Sequence, residues 1–148
     1  MKIYISVDLE GICTTTDWAE VTPGTPEHQE ARLQATTEVA AASEGAFRAG
    51  AKEIVIKDAH DSARNLIAGN LPENTRLIRG WSRHPYMMMQ ELDNSFDAAL
   101  MIGYHTFAGG SGSPMAHTMT LKASSVEING CVASEFLINW YTGMLEQI

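Results

Sequence analysis

The chain has 148 residues, enough for one domain with a real core, and 45% of them are hydrophobic against 19% charged, the balance of an ordinary globular protein. The formal net charge of −8 argues against nucleic acid as the main partner, because phosphate binding needs a basic surface. It is compatible with cation binding. No apolar run approaches the roughly 20 residues needed to span a bilayer, and the start has no signal-peptide layout, so no membrane is expected. Only two cysteines occur, Cys13 and Cys131, which suggests free thiols in a reducing, cytoplasmic compartment.

The apolar run Ile3-Tyr4-Ile5-Ser6-Val7 predicts a buried strand over residues 2–7. It delivers Asp8 and Glu10, followed by Gly11. In an extended strand, side chains two residues apart share a face, so both carboxylates can converge just past the strand end. Two carboxylates held together repel unless they share a proton or a cation. Residues 12–24 read as a loop. Thr25-Pro26-Glu27 then gives a helix start, with Thr25 as N-cap and Pro26 in the first turn. The helix is expected to run to about Ala49, with Leu33, Thr36 or Thr37, Ala40 and Phe47 in its buried stripe and Gly50 closing it.

Glu53-Ile54-Val55-Ile56-Lys57 predicts a second strand, ending in Asp58-Ala59-His60. Strand, helix, strand at this spacing is a βαβ unit, which makes the two strands parallel. Residues 62–74 read as loop, and 75–79 as a third strand. A short helix is expected from Tyr86 to Leu92, its methionine run serving core packing. The run from Asp97 to His105 predicts a fourth strand that also ends in histidine. A glycine-rich stretch leads to Met115-Ala116-His117-Thr118-Met119. Residues 118–128 suggest two short strands turning near Ser124-Ser125, and Asn129-Gly130 is a second turn signal. From Val132 to Ile148 the pattern is that of an amphipathic helix with Phe136, Leu137, Trp140, Tyr141, Met144 and Leu145 on one face. This helix has no stop signal beyond Gly143, which hints at truncation. His28 and His84 are expected at the surface.

Three predicted strands thus end in metal-capable groups: Asp8 with Glu10, then His60, then His105. In open parallel sheets, ligand sites lie outside the carboxyl ends of the strands. Glu135 can join from the start of the last helix. A strand-end carboxylate alone is usually just solvated; the conjunction is what points to a metal. Carboxylates with imidazoles suit zinc, manganese or iron better than copper. Five ligands with one able to bridge suggest two metals, as in two-metal hydrolases. The expected fold is an α/β three-layer open sheet, largely parallel, with helices on both faces and one catalytic domain over 1–148.

With these residues assembled, the chain resembles the zinc D-aminopeptidases of the DppA type. The matching pieces are Ser6-Val7-Asp8-Leu9-Glu10-Gly11, Asp58-Ala59-His60 with Asn65-Leu66, and Gly103-Tyr104-His105. Met115-Ala116-His117-Thr118-Met119 and Glu135 with Asn139 complete the set. The resemblance implies a dinuclear zinc site with Asp8, Glu10, His60, His105 and Glu135 as ligands, Asp8 bridging. It implies that His117 acts as nucleophile or general base. It further implies release of N-terminal D-amino acids from short peptides, and ring-shaped homo-oligomers. Family members are substantially longer, and Ser134 stands where a glycine is common. The rival readings are a magnesium phosphohydrolase, since Val7-Asp8-Leu9-Glu10-Gly11 loosely resembles an aspartate-x-aspartate-glycine motif, and a metal-binding or subunit-interaction module without turnover.

Overall fold

Four short aliphatic runs build the frame: β1 (Lys2–Val7), β2 (Glu53–Asp58), β3 (Thr75–Ile78) and β4 (Ala98–Ile102). In the computed structural model, which describes residues 1–145, they form one sheet in the order β3-β2-β1-β4, with every neighbouring pair parallel. All four carboxyl ends therefore lie along one edge. This is the expected α/β architecture with a parallel sheet.

Alternation along the strands feeds two cores. Ile3, Ile5, Val7, Ile54 and Ile56 face α2 (Pro26–Arg48) and pack with its Ala35 and Val39. Tyr4 and Val55 face the other way, onto Met89 and Leu92. The Tyr4 hydroxyl is buried there and donates to the Gln90 carbonyl at 2.7 Å. Over this second face lies a 3-10 turn, Met87–Met89, beside Tyr86, Leu92 and Phe96, where a short helix was expected over 86–92. Left-handed φ values at both ends of the segment, +44 at Met87 and +65 at Glu91, keep it from winding as a regular helix. Met88 and Met89 serve core packing, but Met87 points outward at 51% exposure.

The start of α2 is as the sequence indicates: the Thr25 hydroxyl accepts from the His28 amide and Pro26 opens the first turn. Its buried stripe is different. His28, Ala31, Ala35, Thr36, Val39 and Ser43 are buried, whereas Leu33 is exposed. Small side chains three and four apart let the helix sit close to the sheet, and Leu33, two residues from both Ala31 and Ala35, falls on the opposite side.

The loop over 12–24 contains a helical turn that was not expected, α1 (Trp18–Val21). Asp17 and Glu20 close a capping box: the Asp17 carboxylate accepts from the Ala19 amide at 2.8 Å, and the Glu20 carboxylate accepts from the Asp17 amide at 2.7 Å. In the C-terminal third, Asn129-Gly130 makes the hairpin between β5 (Glu127–Ile128) and β6 (Cys131–Val132), both turn residues having positive φ. Residues 118–126 form only an isolated bridge between Thr118 and Thr120.

The last helix, α3, spans Glu135–Leu145, and residues 146–148 lie outside the described part. Glu135 and Asn139 are buried, and of the expected apolar face Leu137 and Tyr141 are half-buried while Phe136, Trp140 and Met144 are exposed; the Leu145 side chain lies outside the described part. The polar seam is turned inward because Glu135 and Asn139 have buried partners there. Ser134 starts the helix, its hydroxyl accepting from the Leu137 amide at 3.1 Å. Among the described residues, no helix is long and apolar enough to cross a membrane.

Two glycines decide how the ends of β1 and β4 meet. The Asp8 amide donates to the Ile102 carbonyl, and the Gly11 amide to the Gly103 carbonyl at 2.7 Å. A Cβ on Gly11 would lie 2.1 Å from the Tyr104 oxygen, and one on Gly103, whose φ is +74, would lie 2.0 Å from the Asp8 oxygen. Only bare backbone fits on either side. Gly103→Ala is expected to lose about 3 kcal/mol or more of unfolding free energy, read from urea denaturation, because it adds a backbone clash to a left-handed residue.

Candidate metal centre

β1 stops at Val7, so Asp8 and Glu10 are not carried by an extended strand as the alternation argument assumed. A turn follows, closed by the Ile12 amide on the Leu9 carbonyl, with the Leu9 side chain buried in the α2 core. The turn still brings both carboxylates to one imidazole. His60 Nδ1 lies 3.2 Å from Asp8 Oδ1 and 3.0 Å from Glu10 Oε2.

His60 follows β2 and is placed by a buried network. The Asp58 carboxylate accepts from the Asn65 amide, the Leu66 amide and the Asn65 side-chain amide. Asn65 also donates to the His60 carbonyl at 2.8 Å, and its own side-chain oxygen faces His28 Nε2 at 3.1 Å. His28, expected at the surface, is thus a buried strut between α2 and the His60 loop. A helix-start histidine gives no signal of this, because its partner lies 37 residues away.

His105 is delivered by the Gly103 turn and held from behind by Tyr104. The Ser6 hydroxyl donates to the Met88 carbonyl, which leaves Tyr104 to donate to Ser6 Oγ at 2.7 Å. Asn139 of α3 then donates to the Tyr104 oxygen at 3.1 Å. This chain of bonds ties β1, β4 and α3 together directly beneath the cluster. Glu135, one turn earlier on α3, accepts from the Met119 amide at 2.6 Å and faces His105 Nε2 at 3.6 Å and His117 Nε2 at 3.4 Å. His105 and His117 stack, with ring centroids 4.1 Å apart.

The three histidines share one arrangement. His60 Nε2 donates to the Val21 carbonyl, His105 Nδ1 to the Thr106 carbonyl, and His117 Nδ1 to the Met115 carbonyl. Each ring spends one N–H on backbone and turns its other nitrogen toward the carboxylates, the arrangement usual for histidines that bind metal. The Val21 carbonyl is supplied by α1, so the missed capping box positions a site histidine.

Burial of this many charges shows in their proton affinities. Burial, opposed by the His60 hydrogen bond, raises Asp8 to about 7. Burial would also raise Glu10, but the bond and charge of His60 outweigh it and hold Glu10 at about 2. Burial alone would lower both imidazoles. Hydrogen bonds and charge from Asp8 and Glu10 instead push His60 up to about 11, and Glu135 and Asp8 push His105 up to about 9. The carboxylates demand positive charge. Asp8 Oδ2 and His105 Nε2 are nevertheless buried without a hydrogen-bond partner.

All six residues singled out in the sequence therefore converge. Their donor atoms form three overlapping groups, each within 4.8 Å: Asp8, Glu10 and His60; Asp8, His105 and Glu135; Glu10, His105 and His117. All but His105 line a cleft of about 450 Å³ whose wall also includes Trp18, Trp81 and Met119. The two tryptophans carried no sequence signal, since neither sits in a motif.

Fold and site together define a parallel α/β protein with a buried carboxylate–imidazole cluster at the carboxyl edge of its sheet. A family model described as D-aminopeptidase (peptidase M55) matches residues 1–147. The chain belongs to this D-aminopeptidase family. It is 34% identical over 141 residues to a D-aminopeptidase of Bacillus subtilis, a match covering 95% of this chain and 51% of that protein. Its fold is similar to the solved structure of the Zn-dependent D-aminopeptidase DppA from Bacillus subtilis, described as a self-compartmentalizing protease. The TM-score is 0.94 at 32% identity, over 99% of this chain and 53% of that one. The chain spans about half the length of the relatives it matches.

Asn65→Ala would strand the His60 carbonyl and His28 Nε2 without partners. It is expected to cost about 1–3 kcal/mol of stability, measured by chemical denaturation.

Proposed function

We propose that this chain is a single α/β metal-binding and catalytic domain of an aminopeptidase that releases N-terminal D-amino acids from short peptides or amides, with two zinc ions per subunit. The observation that carries this reading is the shared histidine arrangement: three rings locked by backbone carbonyls, each aiming its second nitrogen at buried carboxylates. The orphaned atoms of Asp8 and His105 fit the same reading, since buried polar atoms ordinarily have partners.

Oxygen and imidazole donors suit zinc. Asp8, Glu10, His60, His105 and Glu135 would hold the ions. Asp8, Glu10 and His105 each belong to two of the three groups; of these Asp8 is the residue that the family resemblance makes the bridging ligand. Zinc, when bound, polarises a carbonyl and lowers the pKa of water toward about 7.

The remaining chemistry falls to the chain itself. The Nδ1–H of His117 is committed to the Met115 carbonyl, which leaves Nε2 as the nitrogen turned toward Glu10 and Glu135 at the cleft. It is placed to accept a proton during attack and return it to the leaving amine. Asp61 lines the cleft and holds no ion in this reading, and its carboxylate suits the free ammonium of an N-terminal residue. Among the described residues, no lysine or arginine lines the cleft, which favours this reading over phosphate-ester hydrolysis.

The reading extends to a ring-shaped homo-oligomer working in the cytoplasm, supported by the self-compartmentalizing relative and by the scarcity of cysteine.

Purified protein is expected to carry two equivalents of zinc and to hydrolyse D-Ala-D-Ala and D-amino-acid amides. A chelator should abolish turnover and zinc should restore it. Turnover that survives complete metal removal would refute the proposal. His117→Ala should keep its zinc, by elemental analysis, while kcat falls about 10²–10⁴-fold. Saturating zinc should also raise the thermal unfolding midpoint, by up to about 4 kcal/mol of added stability at a thousandfold excess over Kd.

A further inference from the structure

The floor of the cleft is acidic, but its mouth is apolar. Trp18, Trp81, Met87, Met119 and Leu121 all line it, and all are exposed, from 37% for Trp18 to 69% for Leu121. Apolar surface gathered around one cleft marks a binding surface.

The mouth is also held in shape. Asp61, Met87 and Met119 each have a left-handed φ, of +45, +44 and +59. Strained backbone of this kind persists only where the surroundings fix it. Trp81 is anchored twice. Its indole N–H donates to the Asp61 carbonyl at 2.6 Å, and its ring lies 4.2 Å from Lys57 Nζ. Lys57 is itself fully buried and donates to the Gly80 carbonyl at 2.6 Å, so the ammonium is a fixed platform beneath the ring. Trp18 opens α1 and sets its ring edge-on to His117, with centroids 5.5 Å apart. Two rigid aromatic surfaces therefore flank the same cleft that holds the carboxylates.

We propose that this mouth is the subsite for the side chain next to the substrate's free amine, that it selects a large apolar or aromatic side chain, and that Trp18 and Trp81 determine this selection. The orientation of the substrate rests on the aminopeptidase reading above. The ammonium pairs with Asp61, the acidic lining residue that holds no ion, and the side chain leaves toward the tryptophans. A carboxylate side chain meets no lysine or arginine among the described lining residues and is rejected. A difference of a single methylene in an apolar pocket gives roughly 10–200-fold discrimination, so benzyl against methyl should be readily measured.

The test uses amines with no scissile bond, which separates binding from turnover. 2-Phenylethylamine presents an ammonium and a benzyl group, and ethylamine an ammonium and a methyl group. Isothermal titration of the zinc-loaded protein is expected to give a Kd at least tenfold lower for 2-phenylethylamine. Trp81→Leu and Trp18→Leu should each narrow that ratio severalfold, weakening 2-phenylethylamine more than ethylamine. Equal affinities, absent binding of 2-phenylethylamine, or a ratio unmoved in both variants would overturn the proposal. Initial rates on D-phenylalaninamide and D-alaninamide report on the peptidase reading separately. If neither amide is cleaved while the amine preference holds, the peptidase reading fails and the subsite stands.

Discussion

Three carboxylates, those of Asp8, Glu10 and Glu135, are buried around three imidazoles, and the carboxyl edge of the sheet is arranged to keep them there. Like charges in a poorly solvated pocket are costly unless positive charge balances them. In the described structure the imidazoles answer that demand: His60 and His105 bind their protons more tightly than free histidine does, because the carboxylates outweigh the cost of burial. A divalent cation meets the same demand with more charge and more directional bonds. Backbone carbonyls on the far nitrogens fix each ring, so the near nitrogens cannot turn away.

The support for this arrangement reaches through the whole fold. The Gly11 and Gly103 backbones cross at van der Waals limits, which sets Asp8 against His105. The Asp58–Asn65–His28 network positions the His60 loop from α2, and the Asn139–Tyr104–Ser6 chain positions His105 from α3. The capping box of α1 supplies the carbonyl that orients His60 and the tryptophan that flanks His117. Elements that carry no ligand are present largely to hold those that do.

Much of this was legible in the sequence. The aliphatic runs named all four strands, and the polar residues at their ends named the cluster, because a parallel sheet must bring such ends to one edge. What escaped was decided by long-range contact. Leu33 is exposed because small residues suited the close seat of α2 on the sheet. Phe136, Trp140 and Met144 face outward because Glu135 and Asn139 have buried partners within. Both cases follow hydrophobicity poorly because shape and polar pairing outweighed it. The Asp17–Glu20 capping box stands in the sequence among threonines that read as loop, and it winds only one helical turn. His28 was not readable, since its role exists only once Asn65 is folded against it.

The central claim is that the carboxylate–imidazole cluster is a two-zinc centre. The most direct measurement is anomalous diffraction at the zinc edge from crystals grown with zinc. Two peaks are expected beside the cleft, among the side chains of Asp8, Glu10, His60, His105 and Glu135. No anomalous peak there, with zinc bound only elsewhere on the surface, would contradict it.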